Sequence, residues 1–576
     1  MPPINKLIEL RLQEAVLAVL PDADVASVLV RPCPDPKFGD YQTNALMGLA
    51  KARKLNPRQL AADVFARLNL TDLCERVEIA GAGFLNFHIK RQAQVAALEA
   101  AAAGGPLFFE PAGKPRTVVI DFSSPNVAKA MHVGHIRSTI LGDSLARTLR
   151  LLGHRVVTDN HIGDWGTQFG KLLVGWKLHL DAAALKADPI GEMERLYKLV
   201  NRLSEENPAV LEEARQELVR LQRGDEENLR IWREMIALSQ VQFDTIYERL
   251  GVRFDVTLGE SFYNPRLQPL VQELVGKGIA VESEGAKVVF FEEIPTLKAH
   301  PALVQKSDGA ANYTTTDLAT MAHRLETWKP DEIVYVTDGR QQLHFQQIFA
   351  VFQKWRSGEK VRLAHVWFGS ILGEDGKPFK TRSGETIKLT DLLDEAAERA
   401  LKTVAEKNPT LTEAEQREIA RVIGLGAVKY SDLLPNRQSD YVFSWDKMLA
   451  LNGNTAPYLQ YAYARIRSIF RKGNVGAEAE AAPARILLDA PQEVALARRL
   501  LNFGIILEAV AEEYRPNFLC NYLYDLAGDF TAFYENCQVL KAEPESRASR
   551  LAICDLTARV LKQGLDVLGI ETLEQM

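Results

Sequence analysis

The chain of 576 residues is predicted to be an α/β protein centred on a parallel sheet, with an α+β unit before it and an all-helical unit after it. Two observations carry this. An apolar run at residues 117–122 reads as a buried strand, and strand-like runs recur at 155–159, 287–291, 332–337 and 362–369, mostly separated by helical stretches. Alternating strands and helices build parallel sheets. From about Asn408 onward strands become scarce and helical periodicity dominates. At about 150 residues per domain the length itself calls for three or four units.

The first unit spans residues 1–113. Helices at 4–20 and 42–54 bracket a proline-rich loop at 31–40, and residues 78–90 alternate like a strand with a glycine kink. Gly104, Gly105, Pro106 and Pro111 give its end the composition of a linker. The second unit, 114–445, opens on the strand at 117–122. A short loop leads into a helix from about Ile136 to Leu152, with Gly153 as its stop. A charged, helix-patterned block between about Pro189 and Leu250 is the heart of a helical insertion set at about 187–295. The third unit, 446–576, is a helical bundle, with a variable surface loop expected at 477–482. The sequence has no internal repeats.

Hydrophobic residues at 47% and charged residues at 25% are those of an ordinary globular protein. The formal charge of −6 gives no overall pull on nucleic acid, so an RNA partner would have to be met by local basic surface. Cys33, Cys74, Cys520, Cys537 and Cys554 form no Cys-x-x-Cys pair and are odd in number. They are expected to be reduced, mostly buried thiols of a cytoplasmic protein, without a zinc site. The first helix carries Glu9, Arg11 and Glu14 within its apolar pattern, unlike a signal peptide. No uncharged apolar run approaches membrane-spanning length.

The chemistry is concentrated in Ser123-Ser124-Pro125-Asn126-Val127-Ala128-Lys129-Ala130-Met131-His132-Val133-Gly134-His135. A strand, a loop and a helix opening on His-x-Gly-His make a nucleotide-phosphate site, because helix N-termini favour anions. His132 and His135, three apart, emerge on one face of the first turn. Gly134 removes a side chain where a flat base would press on the backbone. Competing motifs are missing: there is no Gly-x4-Gly-Lys-Ser/Thr, and Gly424-Leu425-Gly426 sits in helical sequence. The pattern resembles the His-Ile-Gly-His signature of class I aminoacyl-tRNA synthetases. With its Ser-Ser-Pro-Asn and its lysine, the longer string is similar to the arginyl-tRNA synthetase version.

That resemblance implies a class I Rossmann-like catalytic domain, an N-terminal α+β domain that contacts tRNA, and a C-terminal helical anticodon-binding domain. It implies ligation of L-arginine to tRNA(Arg) through an arginyl-adenylate, with ATP and Mg²⁺ arriving together, no protein-bound metal, and a monomer. Activation of the amino acid should itself require bound tRNA. Attack of a carboxylate on the α-phosphorus needs little acid–base help, so the protein must position groups and neutralise charge. His132, His135 and Lys129 take that role, with Gly134 and His344 also at the ATP. The second class signature, Lys-Met-Ser-Lys-Ser, is replaced by Gly376-Lys377-Pro378-Phe379-Lys380-Thr381-Arg382-Ser383-Gly384, in which Pro378 and Thr381 stand at the lysine positions. Lys129 is then the substitute charge, and Lys377, Lys380 and Arg382 are further candidates for the phosphates.

For arginine, a selective pocket needs carboxylates and neutral acceptors aimed at a planar fork of donors. Tyr313 and Asp317 resemble the family's Tyr-x-x-x-Asp element, and Gln347 matches a pocket glutamine. Asp121, where the family more often has glutamate, lies with Ser124 and Asn126 at the α-amino end or at the guanidinium. Residues 159–170 also match the family, without individual roles. For tRNA, residues 456–472 interleave tyrosines with Arg465, Arg467, Arg471 and Lys472 on a helix, a pattern suited to stacking on unpaired bases and following phosphates. Tyr461 and Arg465 are the candidates there, and Phe38 in the first unit. The alternatives are a catalytically silent tRNA-binding regulatory paralogue, or a class I synthetase for another amino acid such as cysteine. The retained His132, His135 and Lys129 argue against the first. Asp121, Asp317 and the lack of zinc-type cysteines argue against the second.

Overall fold

The computed structural model describes residues 2–380, 386–474 and 485–576. They form two compact units, one of residues 113–449 and one of residues 1–112 together with 450–576.

The unit of residues 113–449 is organised by a five-stranded parallel sheet. Thr117–Asp121 is the middle strand, with Arg155–Asn160 and then Val256–Thr257 on one side, and Glu332–Tyr335 and then Arg362–His365 on the other. Val118, Val119 and Ile120 are fully buried, as expected for a strand covered on both faces. The chain winds outward in both directions from Thr117–Asp121, so the carboxyl ends of this strand and Glu332–Tyr335 flank the switch point where α/β sheets bind ligands. Register sets Asp121 between Asp159 and Tyr335.

Three details depart from expectation. The helix after the first strand runs Val133–Leu151, starting earlier than its apolar periodicity suggests because His132 caps it. The run at 287–291 does not join the parallel sheet. Its residues Ala286–Val289 lie between Val281–Ser283 and Ala302–Gln305 in a separate antiparallel sheet. A turn with Glu284 and Gly285 both at positive φ gives that run a local partner. The expected insertion is not helical throughout: Ala182–Ala187, Pro189–Glu206, Pro208–Gln222 and Glu226–Leu250 form one helical run, which the sheet's edge strand separates from helix Glu260–Gly276. Gly251, at φ 62°, closes that run, and the edge strand Val256–Thr257 follows.

In the other unit, Arg31–Pro32, Tyr41–Thr43, Phe84–Ile89 and Cys74–Ala80 form a four-stranded antiparallel sheet in that order. The kinked strand expected at 78–90 is a hairpin. Gly81 and Gly83 turn it at φ 52° and 130°, and a Cβ on Gly83 would lie 2.9 Å from the Pro57 carbonyl oxygen. Ala456–Lys472, Pro491–Leu501, Phe503–Glu513, Asn517–Asn536 and Pro544–Val567 supply the helices that pack with it. Arg498 meets Asp40 at 2.6 Å and Lys6 meets Glu508 at 2.7 Å. A Cβ on Gly504 would strike the Phe108 carbonyl oxygen at 2.1 Å. The loop expected at 477–482 lies outside the described residues. No disulfide joins the five cysteines, and all but Cys33 are buried. Among the described residues no helix is long and apolar enough to cross a membrane.

Candidate active site

The loop between Thr117–Asp121 and helix Val133–Leu151 carries Ser123, Ser124 and Ala128 at positive φ (72°, 48° and 60°), a backbone that non-glycine residues adopt only when their surroundings impose it. The imposing groups come from elsewhere in the unit. The Ser123 N–H donates to Ser138 Oγ, the Ser124 N–H to Asn160 Oδ1, the Ala128 N–H to Ser239 Oγ and the Ala130 N–H to Glu194 Oε1, all within 3.1 Å. Asn126 bridges to Gly163, where a Cβ would lie 2.2 Å from its Oδ1. Residues 159–170, without roles from sequence, thus supply the bed on which the loop is shaped.

At the helix start the Gly134 N–H donates to His132 Nδ1 at 3.1 Å, and the His132 N–H donates to His135 Nδ1 at 3.1 Å. This is a reciprocal cap made by two imidazoles in place of the usual hydroxyl and carboxylate. A ring that accepts at Nδ1 carries its proton on Nε2. Burial, reinforced by His132, holds His135 down at about 3. Burial also lowers His132, with Glu194 opposing and Lys129 assisting. Both rings are therefore neutral Nε2–H donors at neutral pH, with centroids 4.1 Å apart, at a helix end already favourable to anions. A Cβ on Gly134 would fall 2.8 Å from His132 Cε1, so the glycine makes room for the ring as well as for any base. Lys129 is exposed, its Nζ 5.6 Å from the Tyr197 ring centroid on the inserted helix Pro189–Glu206.

Asp121 is engaged inside the protein. Its Oδ2 lies 2.6 Å from Nη2 of the fully buried Arg324, and its Oδ1 accepts from Ser124 Oγ at 3.0 Å. Arg324 also reaches Asp159 Oδ2 at 2.8 and 3.0 Å and lies over the Tyr335 ring at 5.2 Å. The triad thus sets two carboxyl groups against one guanidinium, and burial raises the carboxyl of Asp159. Asp317 and His344 are joined at 2.5 Å. Tyr313 stands 75% exposed at the start of helix Tyr313–Trp328. Gln347 donates its amide to the carbonyls of His300 (3.0 Å) and Pro301 (3.2 Å), which leaves its Oε1 as an acceptor.

Sequence reasoning missed Glu260. Burial, with Asp164 and Asp317 nearby, raises its carboxyl to about 7, as burial and neighbouring like charge do. Its only local signal is its place just after an edge strand of two residues.

Lys377 and Lys380 are exposed on the hairpin that follows strand Ile371–Leu372. With Arg399 and Trp445 they line a cavity of about 740 Å³. Arg382 lies outside the described residues, as do Thr381, Ser383 and Gly384. In the other unit Phe38 is 50% and Tyr461 47% exposed. Arg465 lies over the Tyr534 ring at 4.6 Å. Glu574 takes Arg467 at 3.0 Å, the Tyr463 hydroxyl at 2.6 Å and, through its carbonyl, Arg471 at 2.8 Å. Arg467 and Arg471 therefore help to fasten residue 574 rather than standing free. Among the described residues no three metal-ligating side chains gather.

A pair of imidazole donors capping the helix at the switch point of this sheet defines the catalytic unit of a class I aminoacyl-tRNA synthetase. The chain matches the families described as tRNA synthetases class I (R), catalytic domain, over residues 104–445, as DALR anticodon binding domain over 459–576, and as arginyl tRNA synthetase N terminal domain over 4–89. It is 47% identical over 578 residues to a protein of Chromobacterium violaceum and 46% identical over 581 residues to one of Erwinia tasmaniensis. Both are named arginine–tRNA ligase, and each comparison covers 100% of both chains. The fold is similar to arginyl-tRNA synthetase of Plasmodium falciparum (TM-score 0.82, 30% identity, 100% of both chains). It is likewise similar to that of Thermus thermophilus (TM-score 0.83, 28% identity, 99% of this chain and 100% of the other). The chain belongs to the arginyl-tRNA synthetases.

Proposed function

We propose the following division of labour for the ATP-dependent ligation of arginine to tRNA, the activity of this family. An oxygen of the arginine carboxylate attacks the α-phosphorus of ATP, the bond to pyrophosphate breaks, and no proton need move. The Nε2–H groups of His132 and His135 donate to phosphate oxygens and gain strength as charge builds there. Lys129, and Lys377 and Lys380 from the hairpin, add positive charge. The magnesium ion comes with the nucleotide, because imidazole N–H and ammonium groups suit phosphate oxygens and not a metal ion. A ribose hydroxyl at the tRNA terminus then attacks the adenylate carbonyl and AMP leaves.

Because Arg324 already occupies Asp121, the guanidinium of the substrate is assigned to Asp317, Glu260 and the Gln347 Oε1, with Tyr313 beside it. Asp121, Ser124 and Asn126 take the α-amino end, where an ammonium needs only part of a carboxylate. His344, through Asp317, joins the amino-acid side of the site to the ATP side. Lysine would leave acceptors in such a pocket unpaired, a mismatch worth roughly 10⁴-fold. Phe38, Tyr461 and Arg465 are assigned to tRNA, within a three-part division of the chain at about residues 113 and 445. The protein is taken to act in the cytoplasm as a monomer.

The observation that carries this reading is the reciprocal cap, which fixes both imidazoles as neutral donors. Charging of total tRNA with each of the twenty amino acids, together with ATP–pyrophosphate exchange with and without tRNA, tests it. Arginine alone should be attached, and exchange should appear only with tRNA. Attachment of lysine at comparable efficiency would overturn the pocket assignment.

A further inference from the structure

We infer that Arg137 is a positioning residue that sets the hairpin bearing Lys377 and Lys380 against the histidine-bearing helix. This rests on the reading that the hairpin lysines meet ATP. Arg137 lies one helical turn beyond Val133 and is 1% exposed. Its Nη1 donates to the carbonyls of Gly369 (2.8 Å) and Ser439 (3.2 Å), and its Nε is 3.0 Å from Asp432 Oδ1. The guanidinium lies 5.7 Å from the Phe368 ring centroid and 5.1 Å from that of Tyr441.

Both carbonyls stand two residues before the paired strands Ile371–Leu372 and Tyr441–Val442. The first of these strands continues into the hairpin, with the Phe379 N–H donating to the Ile371 carbonyl and the Gly373 N–H to that of Lys377. Beyond the hairpin the chain returns to the same helix start. The Val133 N–H donates to the Ile387 carbonyl and the Leu389 N–H to that of Met131, both at 2.9 Å. The segment is thus fastened to residues 131–137 at both ends, by backbone on one side and by a single buried guanidinium on the other. An alanine or glutamine at 137 cannot hold two carbonyls and a carboxylate together, whereas the planar fork of arginine can. Shifts of about 1 Å in a positioned group can cost on the order of a hundredfold in rate.

The test is tRNA-supported ATP–pyrophosphate exchange by Arg137→Lys and by Arg137→Gln combined with Asp432→Asn, the latter leaving no buried carboxylate unpaired. The double substitution should lower the exchange kcat by roughly a hundredfold and raise KM for ATP, with KM for arginine and the Kd for tRNA within twofold. Arg137→Lys should recover part of the loss. The cycle is completed with Lys377→Ala/Lys380→Ala. If Arg137 acts through the hairpin, its replacement costs far less in that background. Losses that multiply, or a parallel rise in KM for arginine, overturn the inference. Lysine replacements that leave exchange unchanged overturn the reading of the hairpin itself, whatever Arg137 does.

Discussion

At the scale of single residues, the active-site histidines are held by hydrogen bonds that also decide what they can do. With both Nδ1 atoms filled by backbone N–H groups, only Nε2–H faces outward chemistry. Glutamine places its amide nitrogen near the position of Nε2, and asparagine places it near Nδ1. His135→Gln is therefore expected to retain more pyrophosphate-exchange activity than His135→Asn or His135→Ala, the alanine falling by on the order of a hundredfold. Equal activities for all three would show that the donor position is immaterial. Because His135 sits at about 3, it stays neutral down through pH 5, so its titration cannot produce an acid limb near neutrality. Glu260 can. Its carboxyl lies at about 7, and an arriving guanidinium favours the carboxylate, so binding lowers that value and expels a proton. Arginine affinity should fall as pH drops below 7. Calorimetry in buffers of different ionisation heat should find nearly one proton released at pH 6 and almost none above pH 8. Glu260→Gln should abolish the release; if the release persisted in that variant, another group would be its source.

At the scale of elements, the frame around the site depends on close packing of the first strand against the histidine-bearing helix. A Cβ on Gly142 would lie 2.1 Å from Phe122 Cγ, and Phe122 is itself pinned against Phe254, with centroids 4.5 Å apart. Gly142→Ala should thus cost about 1–3 kcal/mol by overpacking, read as a lower urea midpoint for the unit of residues 113–449; an unchanged midpoint would mean that the helix slides freely on the sheet. The same elements show what a sequence can reveal. The first strand and the helix after it are legible because an apolar run and a histidine pair lie side by side in the chain. Val256–Thr257 is not, since two residues are too few for any periodicity. Residues 287–291 have the β-branched and aromatic composition of a strand, and composition does not say which sheet a strand joins. In the site, His132 and His135 interact across three positions, but Asp317 meets His344 across 27 and Asp121 meets Arg324 across 203. The engagement of Asp121 and the raised Glu260 exist only once distant segments have folded together, so no local pattern announces them.

At the scale of the whole molecule, sequence divides the chain into three and the fold packs it into two, because residues 1–112 and 450–576 share one unit. Arg91 donates to the Leu488 carbonyl, and Arg559 Nη1 donates to that of Ala101 at 2.9 Å. With the Arg498–Asp40 and Lys6–Glu508 pairs, these tie the α+β segment to the helices. Calorimetric unfolding is expected to resolve into two transitions rather than three, and removal of residues 1–112 should lower the one that carries the helical segment. An unaltered transition after that truncation would mean that the helices are stable alone.

The shared unit also sets a schedule. On the ribosome the first segment emerges long before the helices it packs against. At roughly 5–20 residues per second the intervening unit takes on the order of tens of seconds to follow. For that interval Asp40 lacks Arg498 and the backbone around Phe108 lacks Gly504, so a nascent chain of this protein carries an unfinished surface for most of its synthesis. Slowing translation within residues 113–449 lengthens that exposure, and it is there, rather than in the finished enzyme, that chaperone dependence should be greatest.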